Sequence, residues 1–197
     1  MQSLTLMQLP TKTRKELVMR SPGYSTKHIT VLALFTTIAL AVYYAESLLP
    51  PIVPIPGIKL GLANIITLIL IKKATLKDAF LVLMMRILIA GFLFGQAMSL
   101  LYSLAGGLLS LVSMYLIYKL LQGQFTFLIG IFGALFHNLG QLSVAMLLVS
   151  GTAPLAYLPF FILSSMITGT FTGLCAHYAS KKLPTSIFPQ KQDHPIQ

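Results

Sequence analysis

Residues 125–149 read FTFLIGIFGALFHNLGQLSVAMLLV, a stretch without one Asp, Glu, Lys or Arg. A helix needs ~20 mainly apolar residues to cross ~30 Å of hydrocarbon, so this segment is long enough to span a bilayer. Three polar side chains, His137, Asn138 and Gln141, sit near its middle. Positions 137 and 141 are one helical turn apart and 138 and 141 are three apart, which places the trio toward one side of a helix. At membrane depth that side must face other protein.

Outward from this stretch the pattern repeats. Apolar runs cover residues 97–118 and 76–95 before it, and 155–179 after it. Nearer the start, a run from His28 to Leu49 is longer than a signal-peptide core; Ala39-Leu-Ala41 mimics a cleavage site but lies mid-run, so the segment reads as a signal anchor. The remaining span, residues 52–71, is unusual. Pro50, Pro51, Pro54, Pro56 and Gly57 forbid regular helix in its first third. The expectation is an extended, partly inserted loop over 50–59 and a short helix from Leu60 to Ile71.

Composition agrees with this reading. The 197 residues are 56% hydrophobic and 9% charged, with a mean hydropathy of +0.83, too little polar surface for a water-soluble domain of this length. The expected fold is all-α, a polytopic membrane protein built as a six-transmembrane-helix bundle. Its expected divisions are a basic segment 1–27, a membrane domain 28–180 and a tail 181–197. No repeat of 20–50 residues stands out.

Four acids stand against 14 Lys and Arg, for a net charge of +10. Nucleic-acid binding requires such charges on a folded soluble face; here they adjoin apolar runs. With six spans, Lys12, Arg14, Lys15, Arg20 and Lys27, then Lys72, Lys73 and Lys77, then Lys119, then Lys181, Lys182 and Lys191 all fall on one side. Lysine and arginine in short loops stay cytoplasmic, so both termini are expected in the cytoplasm, in a multi-pass protein of the cell membrane. An odd number of spans would destroy the asymmetry.

Ionisable groups inside lipid are costly and therefore informative. Arg86 lies mid-span, Glu46 near the outer end of the first span, and Lys59 and Asn64 flank the entry to the short helix. With His137, Asn138 and Gln141 they make a candidate polar pocket in the outer half of the bundle, roofed by residues 50–59. Glu46, Lys59 and Arg86 sum to +1, which favours an anionic or electron-rich ligand. The alternative is structural: Glu46 neutralises Lys59 or Arg86, and His137 joins helices.

Small residues recur at four-residue spacing, which lets helix backbones approach in lipid. Ala33, Thr37, Ala41 and Ala45 form one such stripe, suited to docking a partner from the bundle edge; Ser99, Ser103 and Gly107, Gly91 and Gly95, and Ser165, Gly169 and Gly173 form others, read as internal seams. Lone Cys175 reads as packing, and neither a metal site nor a cofactor is expected. There is no GxxxxGK[ST] phosphate loop, and four acids cannot build an Asp-rich Mg²⁺-diphosphate site.

The stretch Glu46-Ser-Leu-Leu-Pro-Pro-Ile-Val-Pro-Ile-Pro-Gly-Ile-Lys-Leu-Gly-Leu-Ala-Asn64 resembles the Gx transporter family, often labelled heptaprenyl diphosphate synthase component I. So do Arg86-Ile-Leu, Leu93-Phe-Gly, Ser103-Leu-Ala-Gly-Gly-Leu-Leu-Ser110 and His137-Asn-Leu-Gly-Gln141. The resemblance extends over about residues 28–180. That family is similar to the S components of energy-coupling factor (ECF) vitamin transporters, six-helix proteins that bind a small molecule under a first-loop lid. It implies uptake of a small molecule, energised by a separate transmembrane coupling subunit with ATPases that docks on Ala41-Val-Tyr-Tyr-Ala45 and its extension. Thr37 departs from alanine there without losing smallness. Two further roles are implied: a non-catalytic membrane subunit of heptaprenyl diphosphate or menaquinone synthesis, and a part of flavin-based extracellular electron transfer. The synthase label conflicts with the missing Asp-rich motif, so the chain is not expected to be an enzyme itself.

Overall fold

A computed structural model describes residues 26–48, 59–94, 97–149 and 151–188. The proposed roof over 50–58, the pair partner Gly95, nearly all of the basic segment 1–27 and the end of the tail lie outside the described residues. Among them the structure is all-helical. It comprises α1 (Thr26–Ser47), α2 (Asn64–Lys73), α3 (Leu76–Phe94), α4 (Ala97–Leu120), α5 (Thr126–Val149) and α6 (Leu158–Lys182), with 3₁₀ turns at Ala153–Tyr157 and Thr185–Ile187.

Four segments are long and apolar enough to cross a membrane: α1, α4, α5 and Ala153–Lys182. The chain is thus a multi-pass membrane protein. α3 has 19 residues but carries Lys77, Asp78 and Arg86, and α2 has only 10 residues. The outward faces are apolar: Leu34, Leu88, Phe92, Leu116, Leu163 and Ile167 are all exposed, an arrangement suited to lipid rather than water.

α2 is the centre of the bundle. It is apolar all round, which marks a buried helix: Ile66, Leu68, Ile69, Leu70 and Ile71 are buried, and it touches all five other helices. The expected start at Leu60 is too early. Gly61 has φ +82°, a left-handed conformation natural to glycine, and a tight turn through Leu62 and Ala63 precedes the helix. Asn64 N–H donates to Gly61 O at 2.9 Å and Ile65 N–H to Leu62 O at 3.0 Å.

The sixth span, expected from Leu155, lies within Ala153–Lys182, but its first residues are not α-helical. Pro159 lacks an N–H and its ring would clash with the carbonyl four residues back, so an α-helix cannot run through it from Leu155. The chain forms the 3₁₀ turn first, and α6 begins at Leu158 with proline in its first turn.

α5 packs most extensively, between α4 and α6. Its face toward α6 is backbone on backbone: a Cβ on Gly130 would strike Gly169 O, and one on Gly173 would meet Phe127 Cα at 2.5 Å. Toward α4, a Cβ on Gly140 would meet Ala105 O at 2.7 Å.

At the lysine-bearing end, α3 opens with a reciprocal cap. Thr75 N–H donates to Asp78 Oδ2 (3.2 Å) and Asp78 N–H to Thr75 Oγ1 (3.2 Å), the capping-box pattern with Asp in place of Glu. The other carboxylate oxygen of Asp78 lies 2.9 Å from His28 Nε2 on α1. This buried link joins two residues 50 positions apart in sequence.

Candidate functional site

Glu46 sits on the last turn of α1 and is buried. It is not neutralised by Lys59 or Arg86 at contact distance. Instead Oε1 accepts from Gly61 N–H at 2.6 Å and Oε2 from Leu62 N–H at 3.1 Å. The carboxylate therefore holds the turn that starts α2, satisfying two N–H groups that no helical bond reaches. The structural alternative in which Glu46 pairs directly with Lys59 or Arg86 is not the contact this geometry shows.

Next to this clamp, α5 contributes His137 and Gln141. Gln141 Oε1 accepts from Lys59 N–H at 3.2 Å, and Gln141 Nε2 lies 2.7 Å from His137 Nε2. An amide nitrogen can only donate, so His137 Nε2 must accept and the ring proton resides on Nδ1. Nδ1 is buried against the Gly106 backbone of α4 and makes no hydrogen bond of good geometry among the described residues. Both glycines are needed here: a Cβ on Gly61 would come within 2.7 Å of His137 Cδ2, and one on Gly106 within 2.9 Å of Nδ1.

Arg86 from α3 reaches the same region. Its Nη2 is buried and unpartnered among the described residues and lies near Gly107, the neighbour of the glycine that faces His137. Asn64, at the start of α2, has both amide atoms buried without partners, and its Nδ2 lies near Gly61. Ser110 and Ser113 of α4 are also buried and unpartnered.

Six of the seven residues singled out from sequence thus converge: Glu46, Lys59, Asn64, Arg86, His137 and Gln141. Asn138 does not join them. One residue along a helix is a rotation of ~100°, and Asn138 turns to α6, where Nδ2 donates to Ser165 Oγ at 2.9 Å and Phe161 O at 3.3 Å.

Tyr43 belongs to the site and was missed. Its ring lies beneath the Lys59 ammonium, 3.3 Å from Nζ to the centroid, with Arg86 Cζ at 5.7 Å, both within cation–π range. Its hydroxyl lies 2.8 Å from Ser99 Oγ on α4. The available signal was spacing: Tyr43 is three residues before Glu46 and therefore on its face of α1.

Chemically the site is rich in donors. Arg86, Lys59, His137 Nδ1–H and the Asn64 amide all present N–H groups, and the one carboxylate is already occupied by backbone. Such a set suits an anionic or acceptor-bearing small molecule and offers no nucleophile–base pair. Among the described residues no three His, Cys, Asp or Glu side chains gather as a metal site.

The stripe Ala33, Thr37, Ala41 and Ala45 lies on the exposed side of α1. Ala33 and Thr37 line a groove of about 350 Å³ with Leu81, Met85 and Ile89 of α3. The stripes on α4 and α6 are buried.

No curated protein and no solved structure matches this chain. A family model, heptaprenyl diphosphate synthase component I, matches residues 35–179, a range that contains every residue of the site described above. On that match the chain belongs to the heptaprenyl diphosphate synthase component I family.

Proposed function

We propose that this protein is a membrane-embedded substrate-binding protein for uptake of a small anionic or acceptor-bearing molecule, energised by a separate ATPase module. The observation that carries the reading is the gathering of unpartnered buried polar atoms, Arg86 Nη2, Asn64 Nδ2 and Oδ1 and His137 Nδ1, at one junction of helices. Buried polar groups without partners are costly, most of all in lipid. A ligand that accepts hydrogen bonds from Arg86, Asn64 Nδ2 and His137 Nδ1 and donates one to Asn64 Oδ1 would offset that cost.

In this reading all six helices lie across the membrane, with α2 as a short inner span. Both termini face the cytoplasm. Reporter fusions after Lys73, Gln122 and Lys182 then read cytoplasmic, and those after Pro54 and Thr152 external; one reversed reporter removes the topology.

The direct test is ligand retention by Arg86→Gln, measured on co-purified small molecules. Gln keeps hydrogen bonding but removes the charge, so affinity for an anionic ligand should fall by at least ~1.5 kcal/mol, about tenfold. The structural alternative has Arg86 balancing Glu46 at longer range; it predicts a loss of stability restored by Glu46→Gln, with ligand retention unchanged. That result would end the pocket reading.

A second reading, a non-catalytic membrane subunit acting beside a prenyl diphosphate synthase, is favoured by the description of the family. Co-purification of an isoprenoid, or of a soluble synthase in place of an ATPase module, would select it.

A further inference from the structure

A second polar cluster lies at the lysine-bearing end of the bundle, where α2 ends, α5 begins and α6 ends. Lys72 and Lys73 close α2, Thr126 opens α5, and His177 and Lys181 sit one turn apart on the last part of α6. The Lys72 ammonium is partly buried and donates to Thr126 Oγ1 at 2.6 Å; that oxygen lies 3.4 Å from His177 Nδ1.

The charges that bear on Lys72 are those of Lys73 and Lys181, and those that bear on His177 are Lys181 and Lys72. All are of one sign. The carboxylates among the described residues are engaged elsewhere: Glu46 on the Gly61–Leu62 turn, and Asp78 on His28 and Thr75. Holding like charges together in a partly desolvated place is unfavourable, and three helices converge here to do it. Lys72 gives one of its three donors to Thr126 and keeps two. The N-terminus of α5 adds the positive end of its dipole. The loop leading into it is held in left-handed conformations at Gln122 (φ 51°) and Phe125 (φ 48°), uncommon for residues with a Cβ.

We propose that Lys72, Lys181, Thr126 and His177, flanked by Lys73, form a phosphate-binding site at this end of the bundle. A phosphate group supplies the missing negative charge and enough acceptors for both lysines, the threonine hydroxyl and a histidine N–H. Two sources carry that group, an anionic phospholipid headgroup or a soluble phosphate ester, and the site is independent of the pocket around Arg86.

The test uses the full chain in nanodiscs. Thermal unfolding is followed in phosphatidylcholine alone, in phosphatidylcholine with phosphatidylglycerol, and in phosphatidylcholine with added inorganic pyrophosphate. A ligand that binds only the folded state raises the melting temperature. Lys181→Gln, on an exposed side chain, and Lys72→Gln should each remove at least half of that rise. Lys72→Arg should restore it, and Lys119→Gln, whose ammonium stands over the Tyr115 ring, should leave it intact. A rise with phosphatidylglycerol alone assigns the site to a lipid headgroup; a rise with pyrophosphate in neutral lipid assigns it to a soluble phosphate. No rise with either, or a rise lost equally in Lys119→Gln, overturns the proposal.

Discussion

His137 and Asn138 are neighbours on α5, both polar and both buried in a membrane protein, yet they meet opposite fates. Asn138 enters a closed seam: Ser165 and Phe161 accept from its amide, Ser165 Oγ also bonds back to Phe161 O at 2.6 Å, and glycines bring the backbones of α5 and α6 together. His137 enters an open account at the junction of α2, α4 and α5, with Nδ1 unsatisfied and Arg86 and Asn64 in the same condition nearby. The seam uses polarity to hold helices; the junction holds polarity in reserve. A chain selected for stability alone would fill the second region with apolar side chains, which makes the contrast itself an argument for a ligand.

The sharpest way to break the contrast is at the seam. Gly169→Ala places a Cβ against Ile131 Cα and Gly130 O, backbone atoms that cannot rotate away. Overpacking of this kind costs ~1–3 kcal/mol and occasionally more, and rigid backbone places it at the upper end. The expected outcome is a large drop in the yield of folded protein and in melting temperature in detergent. A Gly169→Ala variant as stable as the parent would mean that the two helices do not approach this closely.

At the next level, Asn138→Ala should destabilise by about 1 kcal/mol, the scale of interhelical hydrogen bonds in lipid, while ligand retention stays near normal. His137→Leu should do the reverse: it removes the unsatisfied Nδ1 donor but leaves Gln141 Nε2 without its acceptor, so the two changes offset and stability moves little, while ligand retention falls. Thermal unfolding and co-purified ligand, measured on both variants, decide the matter. Parallel behaviour of the two would erase the distinction between seam and junction.

This contrast marks where sequence stops being readable. Hydropathy placed α3, α4 and α5 to within about two residues, because a bilayer imposes a length on every span. The proline-rich stretch correctly announced a short second helix. Its start was missed by four residues because Gly61 and Leu62 look apolar and helical in one dimension, whereas Glu46, fifteen positions earlier, claims their N–H groups. Arg86 and His137 were legible as candidates because charge and imidazole are rare at such depth. Asn138 looked equivalent until the rotation of the helix sent it to α6. Tyr43 was invisible because an aromatic on an apolar helix reads as core, and the His28–Asp78 link because it joins two helix ends whose proximity no periodicity encodes.

Between the two regions stands Tyr43, and the smallest expected effect is there. Its ring faces the cations of the junction, while its hydroxyl reaches Ser99 on α4. Tyr43→Phe keeps the ring under Lys59 and removes the hydroxyl, so it isolates the helix-joining half of the residue. The loss should be ~0.5–1.5 kcal/mol of stability, the net worth of one hydrogen bond, with ligand retention unchanged. Tyr43→Leu removes the aromatic face as well and should lower retention further than Tyr43→Phe, since the Lys59 ammonium then loses a contact of ~0.5–2 kcal/mol. The informative quantity is the difference between the two variants in ligand retention at matched stability. If Phe and Leu retain ligand equally, the ring does not help to hold Lys59 at the site, and Tyr43 belongs with Asn138 among the residues that only join helices.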